Sequence, residues 1–531
     1  MRGAQCKKIL CRSDDNFFSD SPAHFCGDRV FSQYIDLLRE FISVLLGLDV
    51  GTGGTRAVLV DGRGTLAASA AVEHFPFRSP QPGWAEQDPE DWWRAAQEAI
   101  RAVIAATGTT AIEAVGLTGQ MHGAVTLDAE GEVLRPALIW CDQRTDEECA
   151  WLHAEIGRER LIELTANPAL PNFTLTKLLW VRKHEPEIFG KIAHVLCPKD
   201  YVRYRLTGTY AMDVQEASGT LLLDVAHRRW SSEVARIAGI PESWLPELFE
   251  SPEICAKISG GDGYTGLTAG TPVVAGAGDQ GAGAVGMGIL APGSVSATIG
   301  TSGVVFAATA APTRDPLGRL HTFCHAVPGR WHVMGVTQAA GLSLRWLRDT
   351  IAPGADYDTL TAAAAEVAAG SDGLLWTPYL LGERTPHLDS SARAAFVGLT
   401  AGHTRGHLVR AVLEGVAYSL KDTFTLFSEL GIPVKGVRLG GGGARGRLWR
   451  EIQAAVYGYT SDVLVAEEGG AFGAALLAGV GAGVWADLEA ACGAAIEIAQ
   501  QIEPDARAVQ RYAVGYEAYR KVYPALKGIQ G

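Results

Sequence analysis

The hydrophobic pattern of the chain changes sharply at Val44. Residues 1–43 are polar at first and then weakly amphipathic, whereas three short apolar runs separated by glycine-rich turns follow. Such runs are typical of strands joined by hairpins. The pattern predicts an antiparallel meander at the start of the ordered chain, preceded by an extension, 1–43, that is either disordered or a misassigned translation start. The three runs are VLLGLDV, RAVLVD and TLAASAAVEH.

Helical and strand patterns alternate after the meander. The stretch 88–106 has an aspartate in the capping position, a proline at the first helical position and apolar residues three and four apart, which predicts an amphipathic helix. The next stretch, 111–119, is apolar enough for a buried strand. Alternation of this kind predicts an α/β fold with layered packing.

One internal similarity suggests that the architecture is repeated. Residues 46–60 and 296–308 both consist of a strand, a turn with glycine, threonine and a second glycine, and another strand. The two copies are separated by about the length of one large domain. The sequence therefore predicts two lobes, each of which opens with a hairpin of a size suited to a phosphate.

Composition narrows the class of partner. The chain has 531 residues, 47% apolar and 20% charged, which is enough for a large core divided into at least two domains. Its formal net charge of −13, without a basic run, argues against a nucleic acid or an anionic membrane as partner. No run reaches the roughly 20 apolar residues needed to cross a bilayer. A small-molecule substrate is expected.

The nine cysteines include no CxxC pair, so we expect reduced thiols in a cytoplasmic protein. One group near the amino terminus could in principle bind zinc, although its spacing fits no tight ligand knuckle. That group is Cys6, Cys11, His24 and Cys26.

The first hairpin carries residue types that suit a polyphosphate. Gly53 lets backbone N–H groups face an anion, Thr52 can donate to phosphate oxygens, and Arg56 adds a guanidinium. A carboxylate, Asp49, beside such a site makes sense if Mg²⁺ lies between the two, because the bare pair would repel. An ordinary hairpin with Asp49 capping its turn is the alternative. The second hairpin, with Thr301, favours the phosphate interpretation.

Two stretches match the GxGxxG pattern of dinucleotide-binding proteins, Gly276–Gly281 and Gly441–Gly446. The second is followed after a predicted strand by Glu467, at the spacing of a ribose-binding acid. A dinucleotide oxidoreductase is therefore one hypothesis. The other is that the glycine surface, including Gly442 and Gly443, accepts the adenosine of ATP.

Asp279 lies at the predicted start of a small-residue helix, where capping residues occur. The helix N-terminus should lower its pKa, so it would be ionised at neutral pH. In phosphoryl transfer, an ionised carboxylate needs only to orient a hydroxyl and take its proton late. Asp279 is thus either a helix cap or a general base.

Further polar residues follow predicted strands, where ligands collect in α/β folds. Gln120, Met121 and His122 follow one buried strand, although such a Met-His pair also serves as packing. Tryptophan with dense polar groups suits a polyhydroxylated substrate, and each residue could equally belong to a solvated loop. These groups are Trp140, Asp142, Arg144, Glu383, Arg384 and His387.

Taken together, the motifs resemble those of the FGGY carbohydrate kinase family, within the superfamily of sugar kinases, actin and heat-shock chaperones. They are the DxGTxxxR hairpin, GDQ, GTSG, GGGA and AAFVGLTAGHTRGHLVRAVLEG, and the resemblance runs from about Val44 to about Tyr523. It implies two ribonuclease H-like α/β lobes with a cleft between them. The implied segments are an amino-terminal lobe at 44–288, a carboxyl-terminal lobe at 289–482 and a helical segment at 483–531.

Within the family, GQMHG and LGERTPH are similar to the motifs of members that act on D-xylulose. The resemblance implies ATP-dependent phosphorylation of D-xylulose in pentose catabolism, with Mg²⁺ as cofactor. It implies that Asp279 is the base on the 5-hydroxyl and that Asp49 acts catalytically on the metal and phosphates. The implied binding residues are Met121, His122, Asp279 and Gln280 for the sugar, and Thr52, Gly53, Arg56, Thr301, Gly442 and Gly443 for ATP.

Two positions depart from the family pattern. Gln280 stands where some relatives carry asparagine, and Asn172 replaces a small or aromatic residue. The longer amide of Gln280 leaves open a kinase of another ketose or a polyol. A non-catalytic, actin-like ATP-binding or sugar-sensing protein is a further alternative, in which Asp279 would be dispensable. The sequence does not fix the oligomeric state, and a homodimer is one assembly that it allows.

Overall fold

The computed structural model describes residues 43–260, 265–465 and 469–530. The predicted extension 1–43, apart from Ser43, lies outside the described residues, as do the candidate zinc ligands within it and Glu467. Among the described residues, no helix is long and apolar enough to cross a membrane.

The described elements alternate along most of the chain. The strands are β1 Val44–Val50, β2 Gly54–Asp61, β3 Leu66–Glu73, β4 Glu86–Gln87, β5 Ala114–Gly119, β6 Val125–Leu127, β7 Ala137–Leu138, β8 His194–Leu196, β9 Ala211–Asp213, β10 Leu223–Asp224, β11 Arg229–Trp230, β12 Glu247–Phe249, β13 Ile254–Lys257, β14 Pro272–Val274, β15 Ser294–Ile299, β16 Gly303–Thr309, β17 His321–Cys324, β18 Trp331–Thr337, β19 Leu375–Thr377, β20 Ala395–Val397, β21 Gly436–Gly441, β22 Ser461–Leu464 and β23 Ile498–Ile502. The helices are α1 Pro89–Thr107, α2 Asp146–Leu152, α3 Arg158–Thr165, α4 Thr174–His184, α5 Pro186–Phe189, α6 Pro198–Thr207, α7 Val214–Ser218, α8 Ser232–Ala238, α9 Asp279–Gly286, α10 Gly341–Ile351, α11 Tyr357–Ala365, α12 Arg405–Glu429, α13 Arg447–Tyr457, α14 Gly469–Gly481, α15 Leu488–Ala495, α16 Ala506–Tyr519 and α17 Val522–Gln530.

The first lobe is built on a sheet with strand order β13-β14-β5-β1-β2-β3. The strands β1, β2 and β3 pair antiparallel, as the apolar runs predict, and β1 pairs parallel with β5. The helix predicted at 88–106 is α1; Asp88 caps it by accepting a hydrogen bond from Glu90 N, and Pro89 is its first residue. Its apolar face, which includes Trp92 and Ile100, is buried in the core of this lobe.

The second lobe repeats this plan. Its sheet has the order β17-β18-β16-β15-β21-β22-β23, in which β15 pairs antiparallel with β16 and parallel with β21. The long helix α12 and helix α13 contribute to the buried core of this lobe. Each lobe thus opens with an antiparallel hairpin whose first strand pairs in parallel with a later strand, and the prediction of two α/β lobes is confirmed.

Helix α14 follows β22 of the second sheet in sequence and joins the two lobes. It lies so close to the first sheet that a Cβ on Gly47 would be 1.9 Å from Ala471 O, and one on Gly116 would be 2.0 Å from Ala474 O. Side chains at these glycines would separate the layers, because real Cβ contacts are never this short. The segment 483–531 contains α15, β23, α16 and α17, and β23 is the edge strand of the second sheet.

Candidate active site

The carboxyl ends of three neighbouring strands of the first sheet carry the central residues of the site. Asp49 is near the end of β1 and opposite Thr118 of β5, and Gln120 directly follows β5. Asp279 follows β14, which pairs in parallel with β5. Since parallel strands end at the same edge of a sheet, residues distant in sequence meet there.

The carboxyl groups of Asp49 and Asp279 influence each other. Burial raises the pKa of Asp49 to about 6, against the opposing effect of the Arg56 guanidinium. Burial, and then the Asp49 charge, raise the pKa of Asp279 to about 7. Within the described residues, Asp49 Oδ1 is buried without a hydrogen-bond partner. The site therefore holds closely spaced carboxyl groups whose charge is costly without a cation.

The structure corrects two expectations about Asp279. The N-cap of α9 is Gly278, and Asp279 is the first residue of the helix. The expectation that the helix N-terminus keeps the pKa of Asp279 low is wrong for the ligand-free protein, because burial and the Asp49 charge outweigh it. Asp279 thus titrates near neutral pH, where a general base is most effective.

We expect Asp279→Asn to stabilise the ligand-free protein at pH 8. A carboxyl group with a folded pKa of about 7 and an unfolded pKa near 3.8 binds more protons when folded, so stability falls as pH rises through that window. Asparagine removes this loss because it carries no charge. The thermal midpoint of the variant should exceed that of the wild type at pH 8, and the difference should shrink towards pH 5. An equal difference at both pH values would contradict the assignment.

Met121 and His122 lie beyond the end of β5, and the backbone around them is tightly held. His122 has a φ of 68°, and its Nδ1–H donates to Gly219 O at 2.6 Å. Its carbonyl accepts hydrogen bonds from Thr174 Oγ1 at 3.2 Å and Lys177 Nζ at 3.0 Å. Burial lowers the pKa of His122 to about 3, so the ring is neutral and Nε2 carries a lone pair.

The glycines of the first GxGxxG stretch are required by contacts within the protein. A Cβ on Gly276, which has a φ of 72°, would lie 1.9 Å from Leu117 O, and one on Gly278 would lie 2.5 Å from Met121 Cγ. A Cβ on Gly281 would lie 2.7 Å from Gln215 Cδ. These faces are covered by protein, which removes the space that a pyrophosphate would need against them.

The turn of the first hairpin presents Thr52 and Gly53 between β1 and β2. The Thr52 hydroxyl donates to Gln120 Oε1 at 3.3 Å and accepts from Trp140 Nε1 at 2.9 Å. Gly53 is exposed, and Arg56 of β2 lies opposite Asp49 of β1 in the register of the two strands. Because the Thr52 hydroxyl is already engaged, the backbone of this turn and the Arg56 guanidinium are the groups best suited to phosphate oxygens.

A cavity of about 500 Å³ lies at the matching edge of the second sheet. Thr301 in the second hairpin and Gly442 and Gly443 after β21 line it together, because Ile299 of β15 pairs with Gly441 of β21. Its size suits a nucleoside. The sequence patterns carry no signal for further side chains of its wall, several of which come from α10, α11 and α13. Among these are Leu344, Arg345, Tyr357 and Trp449.

Helix α14 connects the two sheet edges. A Cβ on Gly470 would lie 3.1 Å from Asp49 Oδ2, and β22 of the second sheet ends at Leu464. A fully extended chain between Leu464 and Gly470 spans at most about 20 Å. Leu464, the last residue of β22, therefore lies within about 25 Å of Asp49.

Several polar residues that the sequence offered as sugar contacts have structural partners. Arg144 binds Asp142 at 2.7 Å and Glu86 at 2.8 Å, and its guanidinium lies 3.7 Å from the ring centroid of Trp84. Glu383 accepts from Gln338 N, Arg384 N and Ser419 Oγ, and His387 stacks on Tyr523. These contacts account for Asp142, Arg144, Glu383 and His387 without a ligand.

Residues 44–286 match the amino-terminal domain, and residues 295–482 the carboxyl-terminal domain, of the FGGY family of carbohydrate kinases. The chain belongs to this family. It is an ATP-dependent sugar kinase, as the motifs predict, and not a dinucleotide oxidoreductase.

Relatives of this FGGY kinase include enzymes with different sugar substrates. It is 38% identical to the xylulose kinase of Bacillus subtilis, with 91% of this chain and 97% of the relative covered. It is 39% identical to the xylulose kinase of Escherichia coli, with 91% and 99% covered. It is also 32% identical to the gluconokinase of Bacillus subtilis, with 82% and 87% covered.

Solved structures give the same fold. A xyloylose kinase from Brucella ovis is similar with a TM-score of 0.87 and 38% identity, over 92% of this chain and 100% of that one. The xylulose kinase of Rhodospirillum rubrum has a TM-score of 0.86 and 34% identity, over 91% and 99%. The predicted two-lobed fold of the sugar kinase type is confirmed.

Proposed function

We propose that this FGGY kinase transfers the γ-phosphate of ATP to the 5-hydroxyl of D-xylulose, with Mg²⁺, and so supplies D-xylulose 5-phosphate in pentose catabolism. The observation that carries the proposal is the meeting of Asp279 and Asp49 at the carboxyl edge of the first sheet, next to the Met121-His122 loop. The xylulose kinases of Bacillus subtilis and Escherichia coli, at 38% and 39% identity, are more similar to this chain than the gluconokinase, at 32%, and this supports D-xylulose as the acceptor.

Asp279 is the proposed general base. With a pKa raised to about 7 it is partly ionised at neutral pH and can accept the proton of the attacking hydroxyl. Phosphoryl transfer through a loose transition state needs this proton transfer only late, so the first task of Asp279 is to orient the hydroxyl. The new bond between the sugar oxygen and the γ-phosphorus forms as the bond from that phosphorus to the β–γ bridging oxygen breaks and ADP leaves, and the hydroxyl proton moves to a carboxylate oxygen of Asp279.

Asp49 is the proposed residue for the metal and phosphates. Among the described residues, its Oδ1 is buried without a hydrogen-bond partner, and such an oxygen is suited to bind a cation. No cluster of three or more His, Cys, Asp or Glu side chains suited to a metal occurs in the described parts of the chain. This fits Mg²⁺, which uses one or two carboxylates together with phosphates and water. When bound, Mg²⁺ would neutralise the developing charge on the phosphate oxygens.

The sugar would lie against Met121, His122 and Gln280. His122 Nε2 is suited to accept a hydrogen bond from a sugar hydroxyl, because the Nδ1 hydrogen is committed to Gly219 O. The Gln280 amide, whose Nε2 donates to Asp279 Oδ1 at 3.3 Å, can bind a second hydroxyl. None of these three side chains is charged, which fits a neutral ketose better than an anionic sugar acid.

ATP is proposed to bind between the two hairpins, with its adenosine in the cavity lined by Thr301, Gly442 and Gly443. The proposed lobes, 44–288 and 289–482, would close over both substrates and exclude water, which limits hydrolysis of ATP. The six cysteines that the structure describes are free thiols, which supports a cytoplasmic location.

The proposal predicts a ranking in a substrate panel. The purified protein is assayed for ADP release with Mg·ATP and each of D-xylulose, D-ribulose, L-ribulose, L-xylulose, glycerol and gluconate. The value of kcat/KM should be highest for D-xylulose. Omission of Mg²⁺ with added chelator is the control for the metal. Preference for another sugar would contradict D-xylulose as the acceptor but not the kinase activity. Preference for gluconate would also contradict the inference that the uncharged pocket favours a neutral sugar.

A further inference from the structure

Gln215 is a buried side chain that connects the two segments of the proposed sugar site, although it is remote from both in sequence. It lies on the short helix α7, and its side chain contacts both Gly278 and Met121. Its Oε1 accepts a hydrogen bond from Gly278 N at 2.6 Å, and its Nε2 donates to Met121 Sδ at 3.7 Å. One amide thus joins the residue before the base to the loop after β5.

The fit of Gln215 depends on the absence of a side chain at Gly281. A Cβ on Gly281 would lie 2.7 Å from Gln215 Cδ and 2.9 Å from both Gln215 Cγ and Oε1. An alanine in this position of α9 would therefore displace the amide from Gly278. By contrast, apart from the neighbouring residues and backbone of α9 itself, no described atom lies within 4 Å of a Cβ built on Gly283, in the same helix.

Helix α7 also meets the second lobe. Ser218 Oγ accepts from Cys324 N of β17 at 3.0 Å, and Gly219, directly after the helix, accepts the Nδ1 hydrogen of His122. The carboxyl end of the helix that carries Gln215 is therefore anchored both to the second lobe and to His122, which holds the amide against the turn that precedes Asp279.

We propose that Gln215 is a positioning residue for catalysis: it holds the 278–280 turn, and with it the Asp279 carboxylate, in register with the Met121-His122 loop. The lack of a side chain at Gly281 leaves room for the Gln215 amide in this position. This inference rests on the proposed function, since it assigns to Gln215 the alignment of the base with a sugar bound at that loop. Misplacement of a reacting group by about 1 Å can cost about a hundredfold in rate, so a small shift of the turn is enough.

The test is a mutant cycle on kcat. We expect Gln215→Ser and Gly281→Ala each to lower kcat about tenfold or more, with the KM for ATP unchanged because the nucleotide cavity is in the other lobe. Gly281→Ala acts through Gln215, so the double variant should be no slower than Gln215→Ser alone. Gly283→Ala, the matched control, should keep the wild-type kcat.

The outcomes separate a positioning role from a structural one. The inference would be overturned if the fold-decreases in kcat of the two single variants multiplied in the double variant, or if Gln215→Ser kept the wild-type kcat. A parallel loss of ATP affinity and thermal midpoint would also overturn it, because a merely structural role predicts that pattern. If Gln215→Ser does not fold, Gln215→Met, which keeps the volume but lacks the amide acceptor, takes its place.

The wild type is measured first with the full sugar panel, and the cycle uses the sugar that it prefers. A wild type that phosphorylates no sugar would refute the proposed function, and the inference with it. An active wild type with unaffected Gln215 variants would refute the inference alone.

Discussion

Asp279→Asn is expected to lower kcat for sugar phosphorylation by about a thousandfold, within the range that removal of a general base produces. Asparagine keeps the size of the side chain but cannot take the proton of the attacking hydroxyl. ATP should still bind with near wild-type affinity, because the nucleotide cavity is formed by Thr301, Gly442, Gly443 and their neighbours in the second lobe. Coupled ADP release measures the rate, and calorimetric titration with a non-hydrolysable ATP analogue measures the affinity.

Glu113→Gln is the matched control for this variant. It makes the same change from acid to amide at an exposed position in the first lobe, just before β5, and should have no effect on kcat. If Asp279→Asn retained more than about a tenth of the wild-type activity, Asp279 would not be the general base. Combined with the expected gain in stability at pH 8, the variant should be more stable and inactive, which is typical where a site buries charge for function.

Gly473→Ala should be among the most destabilising single substitutions in the chain. A Cβ on Gly473 of α14 would lie 1.8 Å from Ala282 O and 2.7 Å from Ala282 C of α9. The backbones of two helices meet here, so no side chain can rotate away to make room. Overpacking of this kind typically costs 1–3 kcal/mol, and with backbone on both sides we expect a loss of about 3 kcal/mol or more.

The midpoint of thermal unfolding, followed by tryptophan fluorescence and circular dichroism, measures this loss. Gly493→Ala is the control, because Gly493 lies in helix α15 and, apart from the neighbouring residues and backbone of that helix, no described atom lies within 4 Å of the added methyl. The control should be neutral or slightly stabilising, since alanine favours a helix over glycine. Equal midpoints for Gly473→Ala and the wild type would mean that the backbones of α9 and α14 are not in direct contact at Gly473 and Ala282.

The two variants probe different consequences of one arrangement. Helix α9 begins with the proposed base and packs along its length on α14, whose own start lies beside Asp49. A shift of α9 that accommodates a methyl group at Gly473 would also move Asp279. We therefore expect any folded Gly473→Ala protein to lose activity as well as stability.

Local sequence signals were sufficient for much of the fold. The strands β1, β2 and β3 and helix α1, with its Asp88 cap, follow from apolar runs, turn glycines and capping residues, because each depends on neighbours a few positions away. The repeated hairpin indicated two lobes for the same reason. The motifs, taken together, were specific enough to indicate the kinase family.

Only the tertiary structure decided the properties that depend on residues distant in sequence. The pKa of Asp279 is raised because folding buries its carboxyl group and places the Asp49 charge nearby, whereas its local position at a helix start predicts the opposite. The engagement of the Thr52 hydroxyl by Trp140 is likewise invisible in the sequence.

The glycines show the same division. As a sequence, Gly276–Gly281 fits a pyrophosphate-binding turn, and only the fold reveals that these residues leave room for Leu117, Met121 and Gln215. The sequence by itself determined the first hairpins and helix of the fold, the family and the candidate base. The tertiary structure decided protonation, packing and the partners of each polar group, because electrostatic and steric interactions depend on distance in space and not on separation along the chain.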